Sequence, residues 1–287
     1  MHDAQLHGDV LNQALPYIQS FRGHTFVVKY GGSAMRDPAS MQGVIRNVLL
    51  LQLVGIRPVL VHGGGPEIDQ WLQKLGFEKR TVDGLRVTDD ATMEVVEMAL
   101  AGRANKALVA EVQREGGQAI GLSGRDADLL MAEPISEELG RVGRINKVNP
   151  RVLTVASDAG LIPIVCSVAS DDARQPLNVN ADTAAAAIAG ALQATKLILL
   201  TDTDGVLSNK EDNRSTLSHL TPDEANSMLK SGKADRGMIP KLEAALAALN
   251  EGVKAVHLIH GGRPNALLIE IFTDAGIGTM LESEKVD

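Results

Sequence analysis

The sequence is poor in cysteine and has no long apolar runs. A single cysteine, Cys166, cannot form an internal disulfide, and it suits a reducing compartment. The apolar runs Val48–Leu51 and Leu197–Leu200 are far too short to span a bilayer, so no membrane association is expected. The first residues show no basic stretch followed by an apolar run, so we expect no secretory signal. A cytoplasmic location is therefore predicted.

Negative charge exceeds positive charge, and aromatic residues are scarce. The net charge is −8, which disfavours a nucleic-acid binder that works by general attraction to phosphates. Only four Phe, two Tyr and one Trp are present, so surfaces for stacking bases are few. Apolar residues make up 44% and charged residues 22% of 287 positions. These values are typical of a globular protein with one large α/β domain or two fused lobes.

Short aliphatic strands alternate with amphipathic helices along the chain. Most of the strands are continuous apolar runs, which is typical of parallel strands covered on both faces. Repeated βα units of this kind predict an α/β fold, a three-layer αβα sandwich around a mainly parallel sheet. The predicted strands are Phe26–Lys29, Pro58–Val61, Ala119–Leu122, Pro163–Val168, Leu197–Thr201 and Ala255–Ile259.

Local signals predict several element boundaries. Thr221 and Glu224 form a capping box at the start of a helix. Asp89 and Asp90 begin a long helix that runs towards Gly116. The alternating stretch Val142–Asn149 predicts an antiparallel hairpin arm outside the parallel core.

An extension helix is predicted before the first strand, over residues 8–22. Pro16 interrupts its pattern, so either a kink or a helix start is expected there. A helix this short is marginal alone in water and must pack against another surface. Its apolar residues recur at helical spacing: Leu11, Leu15, Ile18 and Phe21.

Glycine clusters follow the first two strands, as Gly31-Gly32 and as Gly63-Gly64-Gly65. Ligands bind beyond the carboxyl ends of parallel strands, and glycine lets backbone N–H groups approach phosphate oxygens. Tight turns alone would explain any one cluster. The P-loop and dinucleotide-binding fingerprints are absent from the sequence, so a nucleotide would have to bind through a different motif.

Four charged side chains are candidates for phosphoryl chemistry. Lys29 ends a strand beside a glycine pair, although such a lysine is usually solvated. Lys241 lies in the first turn of a Pro-initiated helix, where it opposes the helix dipole unless an anion is near. Neither lysine is expected in the core. Asp182 either suits a first helical turn or orients the lysines, and Arg86 either captures a carboxylate or is an exposed structural residue.

Metal chemistry has little support. His257 and His260 lie three apart on a strand and face opposite sides, so joint ligation is not expected. We expect no structural metal. Cys166 is predicted to be a small core residue.

The chain resembles the amino-acid kinase family over nearly all its length. The resemblance rests on separate blocks in the family's order, which is more specific than any single glycine loop. The blocks include LPYIQSFRGHTFVVKYGGSAM, VLVHGGGPEID, VDGLRVTD, LNVNADTAAAAIAGAL, KLILLTDTDGVL and GMIPKLEAAL.

The resemblance implies ATP-dependent phosphorylation of the side-chain carboxylate of N-acetyl-L-glutamate in arginine biosynthesis. Magnesium would arrive with ATP, bound largely through its phosphates. Residues 1–22 would serve oligomerisation, 23–193 would form the acetylglutamate-binding lobe and 194–287 the ATP-binding lobe. The implied catalytic residues are Lys29, Lys241 and Asp182, the implied substrate-binding residues are Gly64, Gly65, Arg86 and Asn178, and the implied phosphate- or nucleotide-binding residues are Gly31, Gly32, Thr201 and Asp202.

The resemblance also implies regulation. In members similar to this chain the extension helix links dimers into a hexamer, a trimer of dimers, and arginine acts as a feedback inhibitor. The implied arginine site comprises Tyr17, Lys196, Glu270, Gly276 and Gly278.

Two positions depart from the family's pattern near the ATP lobe: Asp204 stands where proline is usual, and Arg236 where glycine is usual.

Two alternatives stay open. Another enzyme of the family would act on aspartate, glutamate, carbamate or a nucleotide. A catalytically silent regulator would bind amino acid or nucleotide without turnover, but such a protein has no need for Lys29, Lys241 and Asp182 together.

Overall fold

A computed structural model describes residues 2–31, 35, 37–82, 84–209, 212, 215–235, 237–274 and 276–282, with side chains described from residue 12 onward. Gly32 and Arg236 therefore lie outside the described residues. The helices are α1 His2–Phe21, α2 Pro38–Leu53, α3 Gly65–Lys74, α4 Asp90–Glu97, α5 Asn105–Arg114, α6 Arg151–Asp158, α7 Ala181–Ala191, α8 Pro222–Lys230, α9 Ile239–Asn250 and α10 Ala266–Phe272.

Fourteen strands form three sheets within those ranges. The main sheet contains β1 Thr25–Tyr30, β2 Arg57–His62, β5 Ala119–Ser123, β8 Ile162–Cys166, β11 Lys196–Thr201, β12 His219–Leu220, β13 Ala255–His260 and β14 Thr279–Glu282. A four-stranded sheet contains β6 Leu130–Pro134, β7 Gly143–Val148, β9 Val168–Ser170 and β10 Pro176–Asn178, and a hairpin pairs β3 Thr81–Val82 with β4 Leu85–Arg86.

The main sheet is mainly parallel and covered on both faces. Its order is β12-β14-β13-β11-β1-β2-β8-β5, and the six strands from β13 to β5 run parallel. Val27 on β1 points into a core shared with α6, α7, α8 and α9, whereas Val28 points into a core shared with α2, α5 and α10. Because successive strand residues face opposite sides, a sheet buried on both faces requires continuous apolar runs. The predicted three-layer α/β sandwich is confirmed.

One predicted strand proves to be two. The apolar stretch Pro163–Val168 was predicted as a single strand, but β8 ends at Cys166 and β9 begins at Val168. Cys166 pairs with His62 in the main sheet, while Val168 pairs with Asn178 in the four-stranded sheet. Continuous hydrophobicity could not reveal this change of sheet, because both strands are fully buried. The antiparallel arm predicted over Val142–Asn149 is confirmed as β7, which pairs with β6.

The long helix predicted from Asp89 is present, with one irregular stretch. Asp89 caps α4 by accepting a hydrogen bond from the Thr92 N–H at 2.7 Å. Between α4 and α5 the residues Met98–Ala104 form a π-helical turn, which hydrophobic periodicity did not predict. The capping box is confirmed, since the Glu224 N–H donates to Thr221 Oγ1 at 3.2 Å and the Thr221 N–H donates to the Glu224 carboxylate at 2.8 Å.

The N-terminal helix α1 is longer than predicted. It runs through Pro16 without ending, so a helix start at that residue is wrong. Tyr17, Ile18 and Phe21 pack against the core layer that contains α10, whereas Leu15 is 49% exposed. No helix in the described part of the chain is long and apolar enough to cross a membrane.

Candidate active site

A pocket of about 240 Å³ opens at the carboxyl ends of β1 and β2. Parallel strands end here at one edge of the sheet, where α/β proteins bind ligands. The glycines after both strands line the pocket, together with residues from α7, the β3–β4 hairpin and the end of β10. Of the residues singled out from the sequence, it brings together Lys29, Gly31, Gly64, Gly65, Arg86, Asn178 and Asp182.

Two lysines share one buried carboxylate at the pocket. Lys29 Nζ, from β1, lies 2.8 Å from Asp182 Oδ1. Lys241 Nζ, from α9, lies 2.9 Å from Asp182 Oδ2. Asp182 stands in the first turn of α7, because Asn180 caps that helix by accepting from the Asp182 N–H at 2.8 Å and the Thr183 N–H at 3.1 Å. Asp182 is therefore both a residue of the first helical turn and the partner of the two lysines.

The cluster is more buried than the sequence suggests. Only 8% of the Lys29 side chain is exposed, so the expectation that neither lysine belongs to the core is wrong for Lys29. The reason is the position of β1 in the middle of the sheet, where α7 covers its end. Lys241 is 18% exposed and lies in the first turn of α9, so the carboxylate of Asp182 is the anion that offsets its unfavourable helix-dipole position.

Burial and pairing act in opposite directions on these groups. Burial lowers the pKa of Lys29 below its usual value, although Asp182 works against that shift. Burial alone would raise the pKa of Asp182, but the charges of Lys29 and Lys241 outweigh it and hold the pKa below its usual value. Asp182 is therefore ionised at neutral pH and can hold both ammonium groups in place.

One edge of the Arg86 guanidinium makes no hydrogen bond to a described residue and is available to a ligand in the pocket. Its Nη2 pairs with the Asp69 carboxylate and lies 3.4 Å from the Gly65 carbonyl oxygen. Its Nη1 is buried without a hydrogen-bond partner among the described residues, and only 12% of the side chain is exposed. An exposed structural arginine is thus excluded. Sequence reasoning gave Asp69 no role, although this residue ends the block VLVHGGGPEID and lies on α3, the helix that follows the glycine run.

The remaining predicted pocket residues have defined local roles. Asn178 Nδ2 donates to Thr88 Oγ1 at 3.3 Å, and its side chain borders the pocket. A Cβ at position 64 would lie 2.5 Å from Leu100 Cδ2 of the π-helical turn, so any larger residue at Gly64 would require Leu100 to shift. Thr201 ends β11, and its hydroxyl donates to the Thr203 carbonyl at 2.6 Å. Thr201 and Asp202 do not line this pocket.

A second polar cluster lies between β11, β13 and α10. Lys196 Nζ donates to His257 Nε2 at 2.8 Å, and His257 Nδ1 donates to Glu270 Oε1 at 2.7 Å. Glu270 Oε2 accepts from the N–H groups of Ile277 at 2.7 Å and Gly278 at 3.2 Å. The structure thus brings together three of the residues implied for an arginine site, Lys196, Glu270 and Gly278. It adds His257, which the sequence analysis had considered only as a metal ligand and had set aside.

Burial dominates the ionisation of this second cluster. It lowers the pKa of His257 and of Lys196 below their usual values. For Glu270 burial alone would raise the pKa, but the hydrogen bonds from His257 and from the backbone outweigh it and lower the pKa. The Tyr17 hydroxyl donates to Asp274. Among the described residues, no three His, Cys, Asp or Glu side chains are grouped to hold a metal ion.

Comparisons with known proteins agree with one another. A model of the amino acid kinase family matches residues 24–260. Acetylglutamate kinase of Thermosynechococcus vestitus is 52% identical over 273 residues, which cover 95% of this chain and 92% of that protein. Acetylglutamate kinase of Acaryochloris marina is 51% identical over 282 residues, which cover 98% of this chain and 99% of that protein.

Among solved structures, N-acetylglutamate synthase from Neisseria gonorrhoeae is similar to this chain. Its complex with coenzyme A and N-acetyl-glutamate matches with a TM-score of 0.85 at 28% identity, covering 96% of this chain and 63% of the synthase. Its complex with coenzyme A and L-arginine matches with a TM-score of 0.79 at 28% identity, covering 94% of this chain and 64% of the synthase. The chain thus spans less than two thirds of the synthase.

Proposed function

The chain belongs to the amino acid kinase family, and from this membership we propose that its buried Lys–Asp–Lys cluster performs phosphoryl transfer. The reaction is the ATP-dependent phosphorylation of the side-chain carboxylate of N-acetyl-L-glutamate in arginine biosynthesis. Acetylglutamate kinases that are 51–52% identical to this chain over nearly its full length support this activity. The observation that carries the mechanism is a single carboxylate, Asp182, that holds Lys29 and Lys241 at 2.8 and 2.9 Å beside a glycine-lined pocket.

Transfer follows an in-line course. An oxygen of the substrate carboxylate forms a bond to the γ-phosphorus of ATP while the bond to the β–γ bridging oxygen breaks, giving ADP and an acyl phosphate. The attacking carboxylate is already ionised at neutral pH and needs no general base. Lys29 and Lys241 neutralise charge on the transferring group, and Asp182 keeps both ammonium groups at fixed positions.

Backbone donors from both glycine runs complete the site. We assign phosphate contacts to the N–H groups of Gly31, Gly32 and Gly64, because glycine permits close approach of backbone and phosphate. Magnesium would enter with ATP, held largely through the nucleotide's phosphates, and would neutralise part of their charge. Thr201 and Asp202 are assigned to nucleotide binding, since they lie at the end of β11, next to β1 in the sheet.

Substrate recognition is assigned to Arg86 and Asn178. The Nη1 of Arg86, buried and without a partner in the described part of the chain, supports this assignment, because a guanidinium with one edge held by Asp69 keeps the other edge for a ligand carboxylate. Gly65 borders the same space. We assign residues 23–193 to an acetylglutamate-binding lobe and 194–287 to an ATP-binding lobe, because each range supplies one half of the main sheet.

We further propose that arginine binds at the second cluster and inhibits, in a cytoplasmic hexamer built as a trimer of dimers. Glu270, buried and ionised, is suited to a guanidinium; Lys196 is linked to it through His257, and the Gly278 N–H donates to it. We assign Tyr17 and Gly276 to the same site. The helix α1 leaves Leu15 exposed, which suits contact with a second subunit through residues 1–22. Arginine must favour a less active arrangement of the lobes to act as an inhibitor.

One assay tests the activity against its alternatives. ATP consumption is coupled to ADP detection with N-acetyl-L-glutamate, glutamate, aspartate and carbamate side by side, and the acyl phosphate is trapped with hydroxylamine. Turnover should be greatest with N-acetyl-L-glutamate and should give a hydroxamate. Preference for another acceptor would assign the chain to a different activity of the family, and no turnover with any acceptor would support a silent regulator.

A further inference from the structure

His62 forms a buried polar contact that the reaction described above does not use. It is the last residue of β2, its side chain is fully buried, and the glycine run follows it directly. Its Nδ1 lies 2.8 Å from the carbonyl oxygen of Gly63, and its Nε2 lies 3.1 Å from Nδ2 of Asn105. A carbonyl oxygen can only accept and an amide nitrogen can only donate. Nδ1 therefore carries the hydrogen, and Nε2 offers its lone pair.

Asn105 fixes this tautomer, because its own amide can face only one way. Its Nδ2 also lies 2.8 Å from the Ile164 carbonyl oxygen and 3.2 Å from the Leu122 carbonyl oxygen. Its Oδ1 accepts from Lys106 Nζ at 3.1 Å. An amide turned the other way would set its oxygen against carbonyl oxygens and its nitrogen against an ammonium group. Burial, together with the charge of Lys106, lowers the pKa of His62 to about 4, which keeps the ring neutral.

The hydrogen bond from His62 sets the direction of the next peptide group. In a planar trans peptide the C=O of one residue and the N–H of the next point in opposite directions. With the Gly63 carbonyl turned towards the buried imidazole, the Gly64 N–H points away from it, on the side where Gly63 and Gly64 line the pocket. No described residue accepts a hydrogen bond from the Gly64 N–H.

The π-helical turn holds the same peptide from a second direction. Leu100, within that turn, packs so closely on Gly64 that a Cβ there would lie 2.5 Å from its Cδ2. Asn105, the first residue after the turn, holds His62. One stretch of helix thus supports both sides of the Gly63–Gly64 peptide. π-helical turns are rare and often occur at functional sites.

We propose that His62, held by Asn105 as the Nδ1–H tautomer, is a positioning residue that aims the Gly64 N–H at the transferring phosphoryl group. The proposal rests on the proposed phosphoryl transfer. His62 touches neither substrate. It acts by orienting a backbone donor before the reaction begins, and such pre-oriented donors stabilise charge that develops in the transition state.

Two amide substitutions separate the two contacts of the ring. In His62→Asn the side-chain amide can occupy the place of Nδ1 and still donate to Gly63. In His62→Gln it reaches the place of Nε2, keeps Asn105 and loses the bond to Gly63. We expect kcat of His62→Asn to stay within about tenfold of the wild type and kcat of His62→Gln to fall about 10²-fold, with KM for both substrates unchanged.

The affinity for a transition-state analogue distinguishes a positioning role from a merely structural one, because a merely structural role would leave this affinity unchanged. Binding of MgADP with fluoroaluminate and N-acetyl-L-glutamate should weaken about 10²-fold in His62→Gln, while MgADP alone binds as before. His24→Gln is the matched control, because His24 Nδ1 contacts Thr195 Oγ1 at 2.7 Å at the opposite end of β1. Equal kcat and equal analogue affinity in wild type and His62→Gln would overturn the proposal.

A measurement on the unmodified protein covers the case in which a variant fails to fold. Nitrogen-15 NMR of the imidazoles should show His62 as the neutral Nδ1–H tautomer at pH 6–8. An Nε2–H tautomer or an imidazolium at that pH would overturn the assignment without any variant. Absence of turnover in the wild type would count against the proposed function instead, so the two failures are distinguishable.

Discussion

Replacing Lys29 with two different residues separates its charge from its packing. Lys29→Met removes the ammonium group but keeps a stem of similar length, whereas Lys29→Ala removes both. If Lys29 neutralises charge on the transferring phosphoryl group, both variants should lose about 10²–10³-fold in kcat, the usual effect of removing one transition-state contact. Folding stability should distinguish them, because only 8% of the Lys29 side chain is exposed.

The expected difference in stability follows from the methylene groups. Alanine lacks the three stem positions beyond Cβ that methionine still fills, and each buried methylene contributes about 0.8 kcal/mol. Lys29→Ala should therefore unfold with a free energy roughly 2 kcal/mol lower than Lys29→Met. In both variants Asp182 keeps Lys241 as its partner, so the effect of the lost ion pair cancels in the comparison.

Urea unfolding at pH 7 and the coupled kinase assay measure the two quantities. Equal stability of the methionine and alanine variants would show that the stem does not pack as the structure indicates. Turnover of Lys29→Met within tenfold of the wild type would remove the ammonium group from the catalytic set. The pair of variants thus tests burial and catalysis separately.

Three further outcomes are expected. The pKa of Asp182 lies below its usual value, so its ionised form stabilises the folded protein above about pH 4, and this contribution is lost as pH falls through the folded-state pKa. The difference in free energy of unfolding between wild type and Asp182→Asn, measured in urea, should therefore become smaller in acid. Arg86→Lys should raise KM for N-acetyl-L-glutamate about tenfold with little change in kcat, because a point charge cannot hold Asp69 and a ligand carboxylate as a planar fork does, and an unchanged KM would make Arg86 structural. Deleting residues 1–20 should abolish both the hexamer, by light scattering, and inhibition by millimolar arginine, while leaving turnover largely intact; a full-length dimer that ignores arginine would refute this.

The positions of the central strands could be predicted from the sequence alone. β1, β2, β11 and β13 each lie within one residue of the predicted bounds at either end, because short apolar runs that end at glycine or at polar residues leave little choice of boundary. The capping box at Thr221 was equally predictable, since its hydrogen bonds are local. Local chemistry was therefore enough wherever the determining contacts lie within a few residues.

The burial of Lys29 could not be predicted in that way. A lysine at a strand end is usually solvated, and only the placement of β1 between β2 and β11, with α7 over its end, buries this one. The departure at Asp204 was visible but its consequence was not. Its Oδ2 lies 2.5 Å from Arg263 Nη2, a pairing between residues 59 positions apart.

The supports of the site share a property that explains why the sequence analysis gave them no role. His62, Asp69, Leu100 and Asn105 each hold a group that borders the pocket: the Gly63–Gly64 peptide or the guanidinium of Arg86. None of these four side chains needs to touch a substrate, so each can be recognised only through the contact it makes in the fold. Glycines and charged residues beside a phosphate have a recurring chemistry that spacing reveals, whereas a support is defined by its partner. Variants of these supports should therefore lose turnover while retaining Lys29, Lys241, Asp182 and Arg86, the charged residues assigned to the reaction.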